Sequence, residues 1–473
     1  MRTLPFRLAL TCALYVASLT QAHSASAGEV EAAPSMATPR NAAGQAPGAS
    51  TLSLLQAYEA ALQNDATYRA AIHENQAGQE FKVLGRAHLL PLVSASYATH
   101  KNRADITTEL PLGDRTERRN YTSQAGSVQL RQPLFYPEGH ARHRQGIAQT
   151  HASNAQFVLR GQDLIVRLAT VYVAAQYAHD QLQLATAQRD AYAQQRLSAN
   201  RMFESGEGTR TDVLEAQAKF DVADAQVIEA GDNLVNASDA LAAMIGRNAP
   251  RLERLTDDFQ IKPMLPAGFE EWKQMALDNN AEILALRIAV DIAREEIKKI
   301  EAGHTPRLDL VASAGKNSSD TVNTLNQSAS SLSVGLQLNI PLYAGGSVSA
   351  AVRQAVANYE KAQADLEATS SQVLVELRKQ YNLTQSSVAR VKASETSLRS
   401  TRLLVEATQK SIQGGQRTTL DVLNAQQQFF EAKRDLALAR FNYLLSFLRL
   451  RYSAGTVGRA DLNTIATYFV ADK

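Results

Sequence analysis

Few side chains in this 473-residue chain are spaced to do chemistry, and the clearest are two aspartates. Asp212 and Asp421 stand 209 positions apart in near-identical stretches, Thr209-Arg210-Thr211-Asp212-Val213-Leu214-Glu215-Ala216-Gln217 and Thr418-Thr419-Leu420-Asp421-Val422-Leu423-Asn424-Ala425-Gln426. Threonine three residues before an acid is a capping-box pattern, whose side chains satisfy N–H groups left unpaired at a helix start. His140 and His143, with His151 beyond, could share a helix face, but zinc usually takes three or four ligands. That run reads as a polar helix start. No nucleophile elbow, phosphate loop or cluster of cysteine ligands occurs, so neither catalysis, metal nor cofactor is expected.

The elements that position these acids are written twice. Pro133-Leu134-Phe135 recurs as Pro341-Leu342-Tyr343, and Ala61-Leu62-x-Asn64 as Ala276-Leu277-x-Asn279. One unit therefore spans 51–246 and its echo 269–455, joined by 247–268 and followed by 456–473. Ahead of them, residues 1–27 read as a secretory signal. Arg2 and Arg7 make its basic start, Leu8 to Leu19 its apolar run, and Ser24 or Ala27 its last residue. Its removal takes away Cys12, the only cysteine. Residues 28–50, rich in Ala, Pro and Gly, read as a disordered lead-in. The formal charge of +2 falls to about zero without Arg2 and Arg7, which leaves no electrostatic case for nucleic acid.

No proline lies between Pro137 and Pro250 or after Pro341, as long helices require. Long helices are expected over 138–203 and 346–412. Each ends at glycines, Gly206 and Gly208 or Gly414 and Gly415, and the capping threonines Thr209 and Thr418 then start return helices over 209–245 and 418–453. Each unit also opens with a helix, about 52–86 and 270–302. Between the first and the long helix lie two strands, 91–104 and 126–136 in the first unit, 306–316 and 329–342 in the second. Alternation is clearest from Leu332 to Ile340, where every even position is apolar. The stretches Lys101 to Gln124 and Lys316 to Ser328 are polar and read as loops. Tyr97, Phe135, Tyr136 and Tyr343 fall near strand ends, where membrane barrels place aromatic girdles.

Four strands with one apolar face cannot close a barrel, and open edges do not survive in lipid. Two chains would give eight strands around a filled interior. Three would give twelve around water, which suits the polar series Gln129, Arg131, Ser333, Gln337 and Asn339. The fold class expected is an internally duplicated α+β membrane protein, with four strands per chain in a trimeric barrel continued by helices. A soluble periplasmic coiled-coil scaffold is the alternative; it explains the helices but not the strands.

On the duplication, the turns Pro133-Leu134-Phe135 and Pro341-Leu342-Tyr343-Ala344-Gly345-Gly346, and the paired Asp-Val-Leu tips, the chain resembles the TolC family of outer-membrane channels. The resemblance implies a homotrimer with a twelve-stranded barrel in outer-membrane lipid and a long periplasmic helical tunnel. It implies two partners, a periplasmic adaptor and an inner-membrane ABC or proton-driven transporter, in type I protein secretion or small-molecule efflux. By the same resemblance Asp421 lines a gate at the tunnel's tip, and three such acids would repel, raise one another's pKa and attract cations. Asn424 stands at the family's second acidic position. Arg417 matches an arginine that bonds to the first tip, here Thr211 and Asp212, and Ile412 replaces a tyrosine that supports this network. The tips Gly206, Gly208, Thr209, Gly414, Gly415 and Thr418 would meet the adaptor. Pro133, Pro341, Gly345 and Gly346 would turn the chain from barrel to helix. The lack of a lipid-anchoring cysteine leans towards the secretion branch.

Overall fold

A computed structural model describes residues 51–109, 111, 113–248, 251–256, 258–319, 327–413 and 417–470, all within one compact unit, Ala49–Lys473. The signal, the lead-in and Gly414–Gly415 lie outside the described residues. The first half runs α1 (Leu54–Asn64), α2 (Ala66–Ala87), β1 (Leu92–Thr108), β2 (Arg115–Phe135), α3 (Pro137–Glu204) and α4 (Arg210–Ile245). After the short strand β3 (Arg254–Leu255) the same order returns. It runs α5 (Phe269–Asn279), α6 (Ala281–Glu301), β4 (Arg307–Ser319), β5 (Gln327–Asn339), α7 (Ser347–Gln413) and α8 (Thr419–Ser453). Helix α9 (Arg459–Ala466) and strand β6 (Phe469–Val470) follow.

Helix α3 has 68 residues, so at about 1.5 Å per residue it is roughly 100 Å long. Pro137 occupies its first turn, where the missing N–H costs nothing. Among the described residues no helix is long and apolar enough to cross a membrane. The helices are held by tertiary burial instead. Leu164, Leu168 and Tyr172 of α3 pack with Leu54, Leu241, Phe441, Leu448 and Leu462, drawn from α1, α4, α8 and α9. At this level β3 pairs antiparallel with β6, and the Tyr172 hydroxyl donates to the Leu52 carbonyl at 2.8 Å.

Two expectations change. The opening helix of each half is two helices, broken at Asp65 and at Asn280. Asp65 accepts from the Tyr68 N–H at 2.7 Å, and Asn280 accepts from the Glu282 and Ile283 N–H groups at 3.0 and 3.2 Å. A side chain that bonds its own backbone two or three residues on offers a helix start, so the chain stops and restarts there. The polar stretch Lys101 to Gln124 is likewise mostly strand, not loop. Lys101–Thr108 pairs with Arg115–Thr122 as a two-stranded ribbon. Cross-strand polar partners hold it: Arg118 with Asp105 at 2.8 Å, Thr107 with Thr116 at 3.0 Å and Asn102 with Ser123 at 2.9 Å.

Candidate functional site

The four long strands form one antiparallel sheet in the order β1-β2-β4-β5, so β1 and β5 are its edges. Register sorts every side chain onto one of two faces, because residues directly opposite share a face. Val93, Ala95 and Tyr97 lie opposite Leu130, Val128 and Gly126. Leu130 and Val128 lie opposite Ala312 and Ala314, and these lie opposite Val334 and Leu332, with Leu310 against Leu336 and Leu308 against Leu338. One face is thus largely apolar across all four strands, interrupted by Gln132 opposite Leu310 and by Lys316 opposite Gly126. On β5 it is wide open: Leu332, Val334, Leu336 and Leu338 are 62, 68, 67 and 60% exposed.

The other face is a polar ladder. Ser96 bonds Ser127 at 2.9 Å, Ser313 bonds Ser333 at 2.7 Å, and Arg131 donates to Gln337 at 3.3 Å. Asp309, 3% exposed, sits between Arg131 and Arg307, 3.3 and 3.0 Å away. The alternation Leu308-Asp309-Leu310 signals this acid on the polar face, which sequence reasoning misses.

At the helical end of the sheet, β2 shifts register between Pro133 and Phe135, where proline lacks the N–H a ladder needs. Arg307 lies over the Tyr136 ring, 4.1 Å from its centroid, so Tyr136 packs locally, while Phe135 and Tyr343 are exposed. After Pro341, Gly345 and Gly346 take φ of 62 and 79°, left-handed angles that glycine adopts without strain. Ser347 then donates to the Ala344 carbonyl at 2.7 Å as α7 begins.

At the opposite end of the helices the two return helices start alike. The Thr209 and Thr418 hydroxyls accept from the Asp212 and Asp421 N–H groups at 3.1 and 3.3 Å. The carboxylates in turn accept from the Thr209 and Thr418 N–H groups at 3.0 and 2.9 Å. Gly206, at φ 80°, ends α3, and the Glu207 and Gly208 N–H groups both donate to the Met202 carbonyl. Gly208 passes so close to Met202 that an added Cβ would lie 3.0 Å from that side chain.

The tips are joined behind their polar ends. Leu423 of α8, fully buried, packs with Tyr192, Ala199, Ala216 and Ala223 of α3 and α4, and Lys219 donates to Gln427 at 2.6 Å. Arg417 does not reach across. Its ion pair is with Asp421 of its own tip at 3.5 Å, while the Asp212 carboxylate is taken by Thr209. Thr211 is exposed, and Asn424 is exposed one turn beyond Asp421. The Thr418 backbone N–H first, then its hydroxyl and Arg417, hold the Asp421 carboxyl below the usual carboxylate range. Among the described residues no histidine, cysteine and acid group could hold a metal, and His140, His143 and His151 form no cluster.

An open-edged sheet with one largely apolar and one polar face is thus carried on helical hairpins about 100 Å long. The outer membrane efflux protein family matches residues 57–247 and 272–456, one match to each half. The chain is 42% identical to the alkaline protease secretion protein AprF of Pseudomonas aeruginosa, covering 89% of this chain and 88% of that one. It is 37% identical to the proteases secretion protein PrtF of Dickeya chrysanthemi, covering 89 and 92%. Among solved structures, CusC superposes with a TM-score of 0.75 at 18% identity, over 88% of this chain and 96% of that chain, which shows the fold. The chain belongs to the outer membrane efflux protein family. It is an outer-membrane exit duct for type I secretion or efflux, with its helices in the periplasm. Members of this family are channels rather than enzymes and work in tripartite systems. The soluble scaffold reading is set aside.

Proposed function

We propose that three copies close one twelve-stranded barrel and that the duct carries exported polypeptides. The observation that carries the closure is the sheet with both edges open and one face apolar over the half nearest the helices, with an exposed Leu332–Val334–Leu336–Leu338 row. Unpaired edges in hydrocarbon cost several kcal/mol per group, about the largest penalty open to a strand protein, so β1 of one copy must meet β5 of the next. Twelve strands leave room for water against the serine, glutamine and arginine ladder. The two halves of each chain are copies of one unit, so three chains give a wall of near-sixfold character around the helical tunnel. The segments 247–268 and 456–473, which pair through β3 and β6, belt it from outside.

The similarity to two protease secretion proteins supports a polypeptide cargo, with the adaptor and an ABC transporter as partners. Deleting the gene should abolish export of the cognate polypeptide to the medium, and plasmid-borne wild type should restore it. If export persists while susceptibility to small toxic compounds rises, the cargo is small molecules instead.

The gate reading places Asp421, Arg417, Thr211, Asp212 and Asn424 around the periplasmic opening. Gly206, Gly208, Thr209, Gly414, Gly415 and Thr418 form the tips that meet the adaptor. The Arg417–Asp421 pair is exposed and of small energetic weight. Its role is to keep the ring of three acids partly neutralised and narrow. The double variant Arg417→Ala, Asp421→Ala should raise single-channel conductance in planar bilayers and weaken block by divalent cations. Unchanged conductance and block would remove both residues from the gate.

A further inference from the structure

We propose that the outward face of the β1–β2 ribbon binds phosphate-bearing lipid headgroups of the outer leaflet, through Lys101 and Arg103 flanked by Asn120 and Thr122. The inference rests on the reading that the apolar face of the sheet meets lipid. Along β1 that face runs Val93, Ala95, Tyr97, Thr99, Lys101, Arg103, Asp105, and their partners on β2 are Leu130, Val128, Gly126, Gln124, Thr122, Asn120 and Arg118. The stripe is apolar as far as Tyr97, neutral and polar for one layer, then cationic for two. Val93 to Lys101 is about 27 Å of strand, roughly 20 Å of height at a 40° tilt. The apolar stripe also extends towards the helices through Leu308 and Leu338. The two cations therefore stand just past an apolar band about 25 Å tall, at headgroup level.

Three features make this more than a solvated strand. Lys101 and Arg103 are exposed and make no ion pair among the described residues, whereas the next layer out is neutralised internally by Arg118 and Asp105 at 2.8 Å. Their cross-strand neighbours, Thr122 and Asn120, supply a hydroxyl and an amide donor on the same face. These four residues, with Asn102 and Tyr121, line a shallow cavity of about 520 Å³. An ammonium, a guanidinium fork and two neutral donors about 5 to 7 Å apart match a phosphate group and its neighbour. Low polarity at the lipid surface strengthens each contact.

The test uses the purified oligomer in detergent and native mass spectrometry with three probes: diphosphorylated lipid A, the same lipid dephosphorylated, and inorganic phosphate. Wild type should bind the diphosphorylated lipid most tightly, and Lys101→Ser, Arg103→Ser should weaken that binding roughly thirtyfold, about fivefold per cation. The charge-keeping swap Lys101→Arg, Arg103→Lys should retain it. Equal affinity of wild type and the double serine variant overturns the proposal. So does equal binding of the dephosphorylated lipid, which marks adhesion through acyl chains, or of inorganic phosphate, which marks a site for free anions. Oligomer assembly, scored separately on gels without heating, reports on the barrel reading and not on this one.

Discussion

Replacing Leu336 by arginine is expected to abolish the heat-resistant oligomer and export with it, while arginine at Gly335 leaves both intact. The two positions are adjacent and equally deep, but period-two alternation turns them to opposite faces. Leu336 is on the apolar face, midway along its row on β5, and 67% exposed in the single chain. An arginine facing lipid at mid-depth costs about 2 to 4 kcal/mol, and three copies bring this to roughly 6 to 12 kcal/mol per barrel. That range is comparable to the net stability of a typical domain, about 5 to 15 kcal/mol. At Gly335 a new Cβ meets nothing within 4 Å, and the side chain enters the polar ladder's side of the sheet. Semi-denaturing gels of outer-membrane extracts, with and without boiling, measure the difference. Equal losses from both substitutions would mean that the faces are not lipid and water.

The second large effect concerns Asp180, a half-buried acid on α3. Burial, the largest cause, pushes its carboxyl up to about 6, against the opposing pull of the Gln176 amide, Lys433 and Arg254. Gln176 donates to it at 3.0 Å, and His179 lies 4.0 Å away. Between about 3.8 and 6 the native state holds a proton that the unfolded chain has released. The contribution of this group to stability is therefore greatest below 3.8 and is lost as pH rises through 6. Above that, the ionised group costs up to about 3 kcal/mol, trimmed by the solvent that still reaches it. Asp180→Asn keeps an acceptor for Gln176 and carries no charge at any pH. It should raise the thermal midpoint by a few degrees, on the order of 2 °C per kcal/mol or less for a chain this size, at pH 7.5. At pH 4 it should change nothing. A rise of equal size at both pH values would place the effect elsewhere than in the proton.

How much of this was legible in the sequence follows from how local each signal is. The tips were readable because Thr-x-x-Asp closes on itself within one turn, and both boxes form with the bonds that spacing demands. The two faces of the sheet were readable because alternation survives whatever the neighbouring chain does. The helix breaks at Asp65 and Asn280 were equally local, in Asn64-Asp65 and Asn279-Asn280, but an apolar period running through them masked the stop. The ribbon beyond Lys101 reads as loop because its residues are polar, although polar cross-strand pairs hold strands where no core is needed. Asp180 could not be seen at all. Its environment is made by Arg254 on β3 and Lys433 on α8, which the fold brings from far along the chain. Arg417 shows the same limit: the family resemblance points it at Thr211 and Asp212 of the first tip, whereas its ion pair here is with Asp421 of its own tip.

The most direct measurement pairs the two open edges chemically. With Cys12 replaced, single cysteines placed in β1 at Ser94 or Ser96 and in β5 at Ser331 or Ser333 cannot meet within one chain, because β2 and β4 lie between them. Oxidation of outer membranes carrying such pairs should give a ladder ending at covalent trimers on reducing-agent-free gels, for at least one combination. Monomers alone for every combination, or a ladder that stops at dimers, would contradict a wall built by three chains.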